Sequence, residues 1–249
     1  MPRIFRTPAG YVIADDGAYH ALEGDLFGDW RPGAPVEAPA VVLAPVMPSK
    51  IVCIGLNYKD HAAEQGKPLP AEPLLFLKPS SAIADPGQAI ELPDAVGRVD
   101  YESEVAVVIG RRATKVSATE ALSHVLGLTC MNDVTARDLQ KRDGRYTRAK
   151  GFDTFAPLGP CITTGLSPDH LAVTGLLNGE VRQQSSTREL IFPVATLIAY
   201  ISRIMTLLPG DIVSTGTPAG IGPLQDGDEF VVRVQGIGDL RNPVRRSHP

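Results

Sequence analysis

The chain has 249 residues, of which 43% are hydrophobic and 21% are charged, and its formal net charge at pH 7 is −4. This length predicts one large domain, or one main domain with a small appendage, and it can bury a substantial core. The acidic balance gives no general electrostatic reason to bind nucleic acid or an anionic membrane. Because no apolar run approaches a transmembrane helix and no signal-peptide core is visible, we expect a cytoplasmic protein.

Residues 1–48 are predicted to form a small N-terminal β domain, and residues 49–249 the main domain. Strand-like pieces at 3–6, 11–13 and 41–43 are separated by Gly, Pro and Asp turns, and several prolines follow residue 31. No catalytic constellation is visible in this unit. We therefore expect it to serve packing or oligomer support.

The main domain is predicted to be of the α+β class, rich in β structure with few helices. The 22 prolines and 24 glycines fit many short strands, and the absence of recurring strand–helix alternation argues against a doubly wound sheet. Strands are expected at 50–55, around Phe76, at 105–109 and at 231–234. Helices are expected at 57–64, 119–125 and 194–208, the last with an apolar stripe, and a loop at 65–73.

The three cysteines give little support for a disulfide or a zinc site. Cys53, Cys130 and Cys161 are odd in number and far apart, and no CxxC pair is present. We expect buried, reduced thiols.

Acidic residues lie beside two apolar runs of the main domain: a group at 100–104 precedes the run 105–109, and Asp133 follows the run 125–131. Alternate residues of a strand share a face, so Asp100, Glu102 and Glu104 are expected to crowd together on one side of it. Asp133 ends a second apolar run, where a carboxylate requires compensation. Such acids repel one another unless a positive group lies among them, and a hard divalent cation is one candidate. A solvated sheet edge, or pairing with Arg, is the alternative.

His61 and Glu64 form an H-x-x-E pair. Residues three apart share a helix face, and a carboxylate beside an imidazole orients the ring and raises its basicity, as a general base requires. The alternative is an exposed helical turn with an incidental histidine.

Residues 137–150 hold six basic and two acidic side chains. In an acidic protein this segment could attract an anionic small molecule, although a solvated helix and loop face would account for most of it. Lys150 differs because an ordered, partly apolar segment follows it, so its ammonium could neutralise charge that develops on a substrate.

Residues 215–222 form a Gly-rich turn without the lysine of a phosphate-binding loop. Its backbone N–H groups, with that of Gly216 among them, and the Thr217 hydroxyl could bind a carboxylate.

Six motifs in order resemble the fumarylacetoacetate hydrolase family over about residues 50–245, in the branch of 2-hydroxyhepta-2,4-diene-1,7-dioate isomerases and acylpyruvate hydrolases. The motifs are GLNYKDHAAE at 55–64, FLKP at 76–79, DYESE at 100–104, NDVTARD at 132–138, KGFDT at 150–154 and GTPAGIG at 216–222. The resemblance implies a mixed β-sandwich roll and a homodimer. The N-terminal unit resembles the small N-terminal domain of single-chain bacterial members.

The resemblance also implies roles for individual residues. It implies Mg²⁺ or Mn²⁺ on Glu102, Glu104 and Asp133, and a lid at 61–73 that orders over the ligand and brings in His61 and Glu64. Family substrate-contact positions fall on Lys150, Gln140, Thr217 and Arg137.

The activity implied is that of a metal-dependent enzyme acting on a 2-oxo acid through a metal-stabilised enolate. The first expectation is an isomerase/decarboxylase of 2-hydroxy-diene-dioates in aromatic catabolism. The alternatives are an acylpyruvate C–C hydrolase, an oxaloacetate decarboxylase or tautomerase, and a non-catalytic 2-oxo-acid-binding or metal-stabilised structural protein.

Overall fold

The computed structural model describes residues 1–246, which form many short strands and few helices. The helices are α1 (Lys59–Glu64), α2 (Arg137–Asp143), α3 (Thr147–Lys150) and α4 (Val194–Ile204), with short 3₁₀ turns at Ser80–Ala82, Ala121–His124 and Thr187–Glu189. The strands are β1 (Arg3–Thr7), β2 (Gly10–Asp15), β3 (Ala18–Gly24), β4 (Trp30–Pro35), β5 (Ile51–Gly55), β6 (Leu74–Lys78), β7 (Ile83–Ala84), β8 (Ile90–Leu92), β9 (Val99–Tyr101), β10 (Ser103–Ile109), β11 (Val125–Asn132), β12 (Thr135–Ala136), β13 (Ala156–Thr163), β14 (Ala172–Leu177), β15 (Glu180–Ser186), β16 (Ile212–Ser214), β17 (Gly222–Pro223), β18 (Glu229–Val234) and β19 (Gly238–Arg246).

The largest sheet has the strand order β4-β3-β2-β1-β13-β11-β10-β16-β5-β6, with β7 paired to β13. Its central strand β10 is buried along its whole length. Val105 and Val107 face one hydrophobic cluster, and Ala106 and Val108 face the other. Because both faces are covered, the strand is a continuous apolar run rather than an alternating one.

Two smaller sheets complete the fold. A five-stranded sheet has the order β15-β14-β18-β19-β8, and a three-stranded sheet has the order β12-β9-β17. Phe230 of β18 stacks on Tyr101 of β9 with ring centroids 4.2 Å apart, so an aromatic pair joins the two sheets. The protein is thus β-rich, with several sheets and few helices, as predicted.

The N-terminal strands β1–β4 continue the largest sheet, since β1 pairs with β13 through Arg3↔Thr163 and Ile4↔Ile162. The strand predicted at 41–43 is absent. Leu43 makes only an isolated bridge to Arg6, because Pro39 and Pro45 flank the segment and cannot donate to a ladder. The division into 1–48 and 49–249 stays a prediction.

All three predicted helices are shorter than expected. Helix α1 begins at Lys59 instead of Asn57. The segment 119–125 holds only a 3₁₀ turn, and α4 ends at Ile204 instead of Leu208. Met205 is extended, and Leu207 pairs with Ala113, so a β bridge takes the place of the last helical turn. Ile204 and Leu208 of the predicted apolar stripe are consequently exposed.

All three cysteines are buried and unpaired, as predicted. Within residues 1–246 no helix is long and apolar enough to cross a membrane.

Candidate active site

Three buried carboxylates meet at the point where β10 begins and β11 ends. Glu102 precedes β10, Glu104 lies in it and Asp133 follows β11. The antiparallel register Ser103↔Asn132 places these ends side by side, and the Asp133 N–H donates to the Glu102 carbonyl at 2.9 Å. One carboxylate oxygen from each residue lies within 4.8 Å of the other two. The predicted carboxylate cluster is therefore present in the fold.

Asp100 does not belong to this cluster, which corrects the expectation that three acids share one strand face. The strand is interrupted at Glu102, since β9 ends at Tyr101 and β10 begins at Ser103. Asp100 instead accepts hydrogen bonds from Arg98 at 2.7 Å and from Arg137 at 2.9 Å. Because the strand is interrupted there, strict alternation of side chains does not hold across Glu102.

Three cations hold two of the clustered carboxylates. Arg137 Nη2 donates to Glu102 Oε1 at 2.5 Å. Lys150 Nζ bridges Glu102 Oε2 at 2.8 Å and Asp133 Oδ2 at 2.6 Å. Lys78 Nζ donates to Asp133 Oδ1 at 2.6 Å. Pairing with Arg, which was the alternative to a metal cluster, thus occurs in the same site as the cluster.

These cations set the ionisation of Glu102. Burial opposes the charged form, but the charges and hydrogen bonds of Lys150 and Arg137 outweigh it and hold the pKa of Glu102 below its usual value. In turn, burial lowers the pKa of Lys150, but the nearby Asp133 and Glu102 charges raise it above the ordinary lysine value. Both groups are therefore charged at neutral pH.

Glu104 lies in a different environment. Ser214 Oγ and the Gly216 N–H both donate to its Oε2, at 2.5 and 2.8 Å. Among residues 1–246 no donor reaches Oε1. Burial, and then the charges of Asp133 and Glu102, raise the pKa of Glu104 well above its usual value. A free carboxylate oxygen beside two other carboxylates calls for a positive charge.

The donor set fits a hard divalent cation. It consists only of carboxylate oxygens, which Mg²⁺ and Mn²⁺ prefer, and Glu104 Oε1 lacks a competing donor within the described part of the chain. The residues that would hold such a cation are Glu102, Glu104 and Asp133.

The His61–Glu64 pair forms on α1. His61 Nδ1 lies 2.8 Å from Glu64 Oε2, and His61 Nε2 lies 2.7 Å from the Gln65 amide nitrogen. A Nδ1–H directed at the carboxylate leaves Nε2 as an acceptor, and this tautomer is inferred from the hydrogen bonds. Gly220 N–H donates to Glu64 Oε1 at 2.9 Å. The pair is therefore oriented from both ends.

One cavity of about 660 Å³ joins these groups. It gathers His61, the three carboxylates and Lys150 with side chains of α2 and of the Gly-rich turn. Its lining is Ile54, Gly55, Leu56, His61, Gln65, Lys67, Leu74, Phe76, Glu102, Glu104, Asp133, Arg137, Gln140, Lys141, Gly144, Tyr146, Lys150 and Thr217.

The remaining predicted contacts are placed as follows. Gln140 Oε1 accepts from Arg137 at 2.9 Å, and both line the cavity. Thr217 lines the cavity too, but its hydroxyl donates to the Ser103 carbonyl and accepts from Gln183. The Gly216 N–H holds Glu104, so its observed partner is a carboxylate of the protein. Contacts of these residues with a substrate stay predictions.

Two buried residues of the site were missed by the sequence analysis. Lys78 is fully buried against Asp133, and its position at the end of the apolar strand β6 was a usable signal. Gln183 bonds the Ser103 N–H, Thr217 and the Pro218 carbonyl, so it supports the Gly-rich turn. Nothing in the polar strand β15 distinguishes Gln183 from its neighbours.

A cavity that gathers buried carboxylates, an oriented imidazole and a buried lysine is typical of an enzyme that acts on a small molecule. The model of the fumarylacetoacetate (FAA) hydrolase C-terminal family matches residues 50–245. The chain belongs to the fumarylacetoacetate hydrolase family.

Relatives with known names agree with this assignment. The chain is 40% identical to the structure of a 5-carboxymethyl-2-hydroxymuconate delta-isomerase from Mycobacterium smegmatis, with a TM-score of 0.89 over 99% of this chain and 100% of that one. It is 41% identical to a 2-hydroxyhepta-2,4-diene-1,7-dioate isomerase from Mycobacterium marinum, with a TM-score of 0.83 over the whole of both chains. It is 45% identical to the mitochondrial oxaloacetate tautomerase FAHD2A of Bos taurus over 215 residues, 81% of this chain and 68% of that protein.

Proposed function

We propose that this protein is a Mg²⁺- or Mn²⁺-dependent enzyme that isomerises or decarboxylates a 2-hydroxy-diene-dioate in aromatic catabolism. The observation that carries the proposal is the cavity that is lined by the carboxylate cluster, by Lys150 and by His61, whose ring is held by Glu64. The two similar isomerase structures support the reaction type. A cation held by the cluster supplies a Lewis acid that stabilises negative charge on the 2-oxo oxygen of the substrate.

His61 is proposed to move the proton. Glu64 holds Nδ1, so the Nε2 lone pair faces the cavity side of the ring, where Gln65 now donates to it. A substrate that displaces the Gln65 amide places its own acidic proton beside Nε2. The backbone amide of Gly220 keeps the Glu64 carboxylate in place during the transfer.

Lys150 is proposed to stabilise anionic substrate groups. Two of its three N–H groups hold Glu102 and Asp133, and its ammonium lies 4.8 Å from the centre of the Phe76 ring. An ammonium fixed by two carboxylates and an aromatic face needs little reorganisation when charge develops nearby.

The metal assignment is tested with Glu102→Ala. We expect calorimetry to show loss of Mg²⁺ binding together with loss of turnover, whereas Glu37→Ala, at an exposed position, retains both. Unchanged Mg²⁺ affinity in Glu102→Ala would refute the site.

The proton-transfer assignment is tested with His61→Ala and Glu64→Gln. Both variants should bind Mg²⁺ like the wild type and lose turnover by about 10²–10⁴-fold, the usual contribution of general acid–base catalysis. Wild-type turnover in the double variant would show that another group is the base.

Oxaloacetate tautomerisation is the second candidate, because the bovine relative carries that name. A panel with Mg²⁺ and with Mn²⁺ separates the reactions: the seven-carbon dienedioate, oxaloacetate and an acylpyruvate. Turnover of oxaloacetate without turnover of the dienedioate would favour the second candidate.

A further inference from the structure

Two lysines line the active-site cavity without an ionic partner. Within residues 1–246 the ammonium groups of Lys67 and Lys141 make no salt bridge or hydrogen bond, although both residues border the cavity. The other cations of the cavity differ, since Lys150 and Arg137 are bound to Glu102. Lys67 and Lys141 are therefore the cationic side chains of the lining that remain available to a ligand.

Helix α2 carries both Lys141 and Arg137, the residue that contacts the carboxylate cluster. Its residues Arg137, Gln140 and Lys141 line the cavity together with Gly144, which follows the helix, as expected of one face at spacings of three and four. Arg137 contacts Glu102 at the start of this face. At a rise of 1.5 Å per residue, Lys141 lies about 6 Å further along the axis, one turn away from the cluster.

Lys67 approaches from another part of the chain. It follows α1, and its backbone N–H donates to the Ala62 carbonyl at 3.0 Å, so it is tied to the helix that carries His61. A ligand that meets both lysines therefore bridges the His61 segment and α2.

We propose that Lys67 and Lys141 form the subsite for the second carboxylate of a dicarboxylic substrate with six or seven carbons. This inference rests on the proposed function, because it places the 2-oxo acid end of the substrate at the carboxylate cluster. With carbon–carbon bonds near 1.5 Å, the carboxyl carbons are about 6–8 Å apart in an extended diacid of this length and about 4 Å apart in a four-carbon one. The longer spacing matches the one-turn separation of Lys141 from Arg137.

The second carboxylate would also relieve a local charge imbalance. Both lysines border the same cavity without an anionic partner, so each would attract an anion bound between them. Exposed ion pairs are weak, so the contribution is to selectivity between ligands: about fivefold to tenfold in affinity for the two lysines together.

The test compares two ligands that differ only in the distal group, 2-oxoadipate and 2-oxohexanoate. Their affinities are measured by calorimetry on the Mg²⁺-loaded protein. The wild type should bind the diacid about fivefold to tenfold more tightly at low salt, and this preference should shrink as NaCl is raised to about 0.5 M. Lys67→Gln/Lys141→Gln should bind both ligands equally, with the affinity for 2-oxohexanoate unchanged.

The matched control is Lys59→Gln/Arg142→Gln. It removes the same charge from α1 and α2 at exposed positions outside the cavity lining, and it should keep the wild-type preference. Equal affinities in the wild type, or a preference that persists in Lys67→Gln/Lys141→Gln, would overturn the inference and leave the proposed function standing. Absence of binding by both ligands would instead refute the proposed 2-oxo acid site, and the subsite with it.

Discussion

The buried ion pair between Lys78 and Asp133 offers the sharpest test of how the site is held together. Lys78→Met keeps the length of the side chain and removes its charge. The variant loses the donor to Asp133 Oδ1 at 2.6 Å and to the Val134 carbonyl at 3.1 Å. Breaking a buried pair costs about 3–5 kcal/mol, and we expect the lower end, about 3 kcal/mol, because Lys150 still neutralises Asp133.

Thermal and urea unfolding without divalent cations measure this loss. A destabilisation of about 3 kcal/mol corresponds to a fall in Tm of about 6–12 °C for a protein of this size. The control Lys59→Met, exposed and without an ion-pair partner in residues 1–246, should stay within about 0.5 kcal/mol of the wild type. A Lys78→Met variant within about 1 kcal/mol of the wild type would refute the reasoning.

The same variant also tests the link to the proposed metal site. Asp133 has an ammonium on each oxygen, and Lys78→Met removes one of them. We therefore expect Mg²⁺ to raise the Tm of Lys78→Met by more than it raises that of the wild type. An equal Mg²⁺-induced rise would show that Lys78 does not compete for Asp133.

Three further outcomes are expected. Gly216→Ala should lower the free energy of unfolding in urea by about 1–3 kcal/mol. The φ angle of Gly216 is +98°, and the new Cβ would lie 2.8 Å from the Asn57 Cβ. Unchanged stability would show that the turn adapts. Asp211→Ala should lower the free energy of unfolding by about 3–5 kcal/mol, because this fully buried carboxylate accepts hydrogen bonds from Ser49, Lys50 and Leu208. Asp211→Asn should lower it by less. Burial raises the pKa of the cysteine thiols, to about 11 for Cys161, so a thiol reagent at about pH 8 should label none in the folded protein and all three after denaturation.

The parts of the fold that sequence analysis predicted are those with a strong local pattern. β10 was predicted from the continuous apolar run at 105–109, and α4 from apolar residues that recur at helical spacing. Its end at Ile204 was missed, since the bridge between Leu207 and Ala113 is a contact between distant segments. The strand expected at 41–43 fails for a different reason: Pro39 and Pro45 flank the segment, so only Leu43 bridges to Arg6 of β1.

The candidate site shows the same limit. Glu102, Glu104 and Asp133 could be singled out because acids beside apolar runs are costly to bury. The position of Asp100 could not, since the interruption of the strand at Glu102 depends on the pairing of β9 with β12 and β17. The role of Lys78 depends on a residue 55 positions away, and no local pattern specifies that partner.

The charge of the site explains why these groups occur together. Four buried carboxylates face four cationic side chains, so the charges of the site balance when every acid is ionised: Asp100, Glu102, Glu104 and Asp133 against Lys78, Arg98, Arg137 and Lys150. Burial and the neighbouring carboxylates raise the pKa of Glu104, so the ionised form of this acid gains most from a further positive charge. A divalent cation held there would add two positive charges to a site that is otherwise balanced, and the carboxylate of a 2-oxo acid would offset one of them. The arrangement therefore favours an anionic ligand only after the cation has bound, which predicts that 2-oxo acids bind weakly to the metal-free protein.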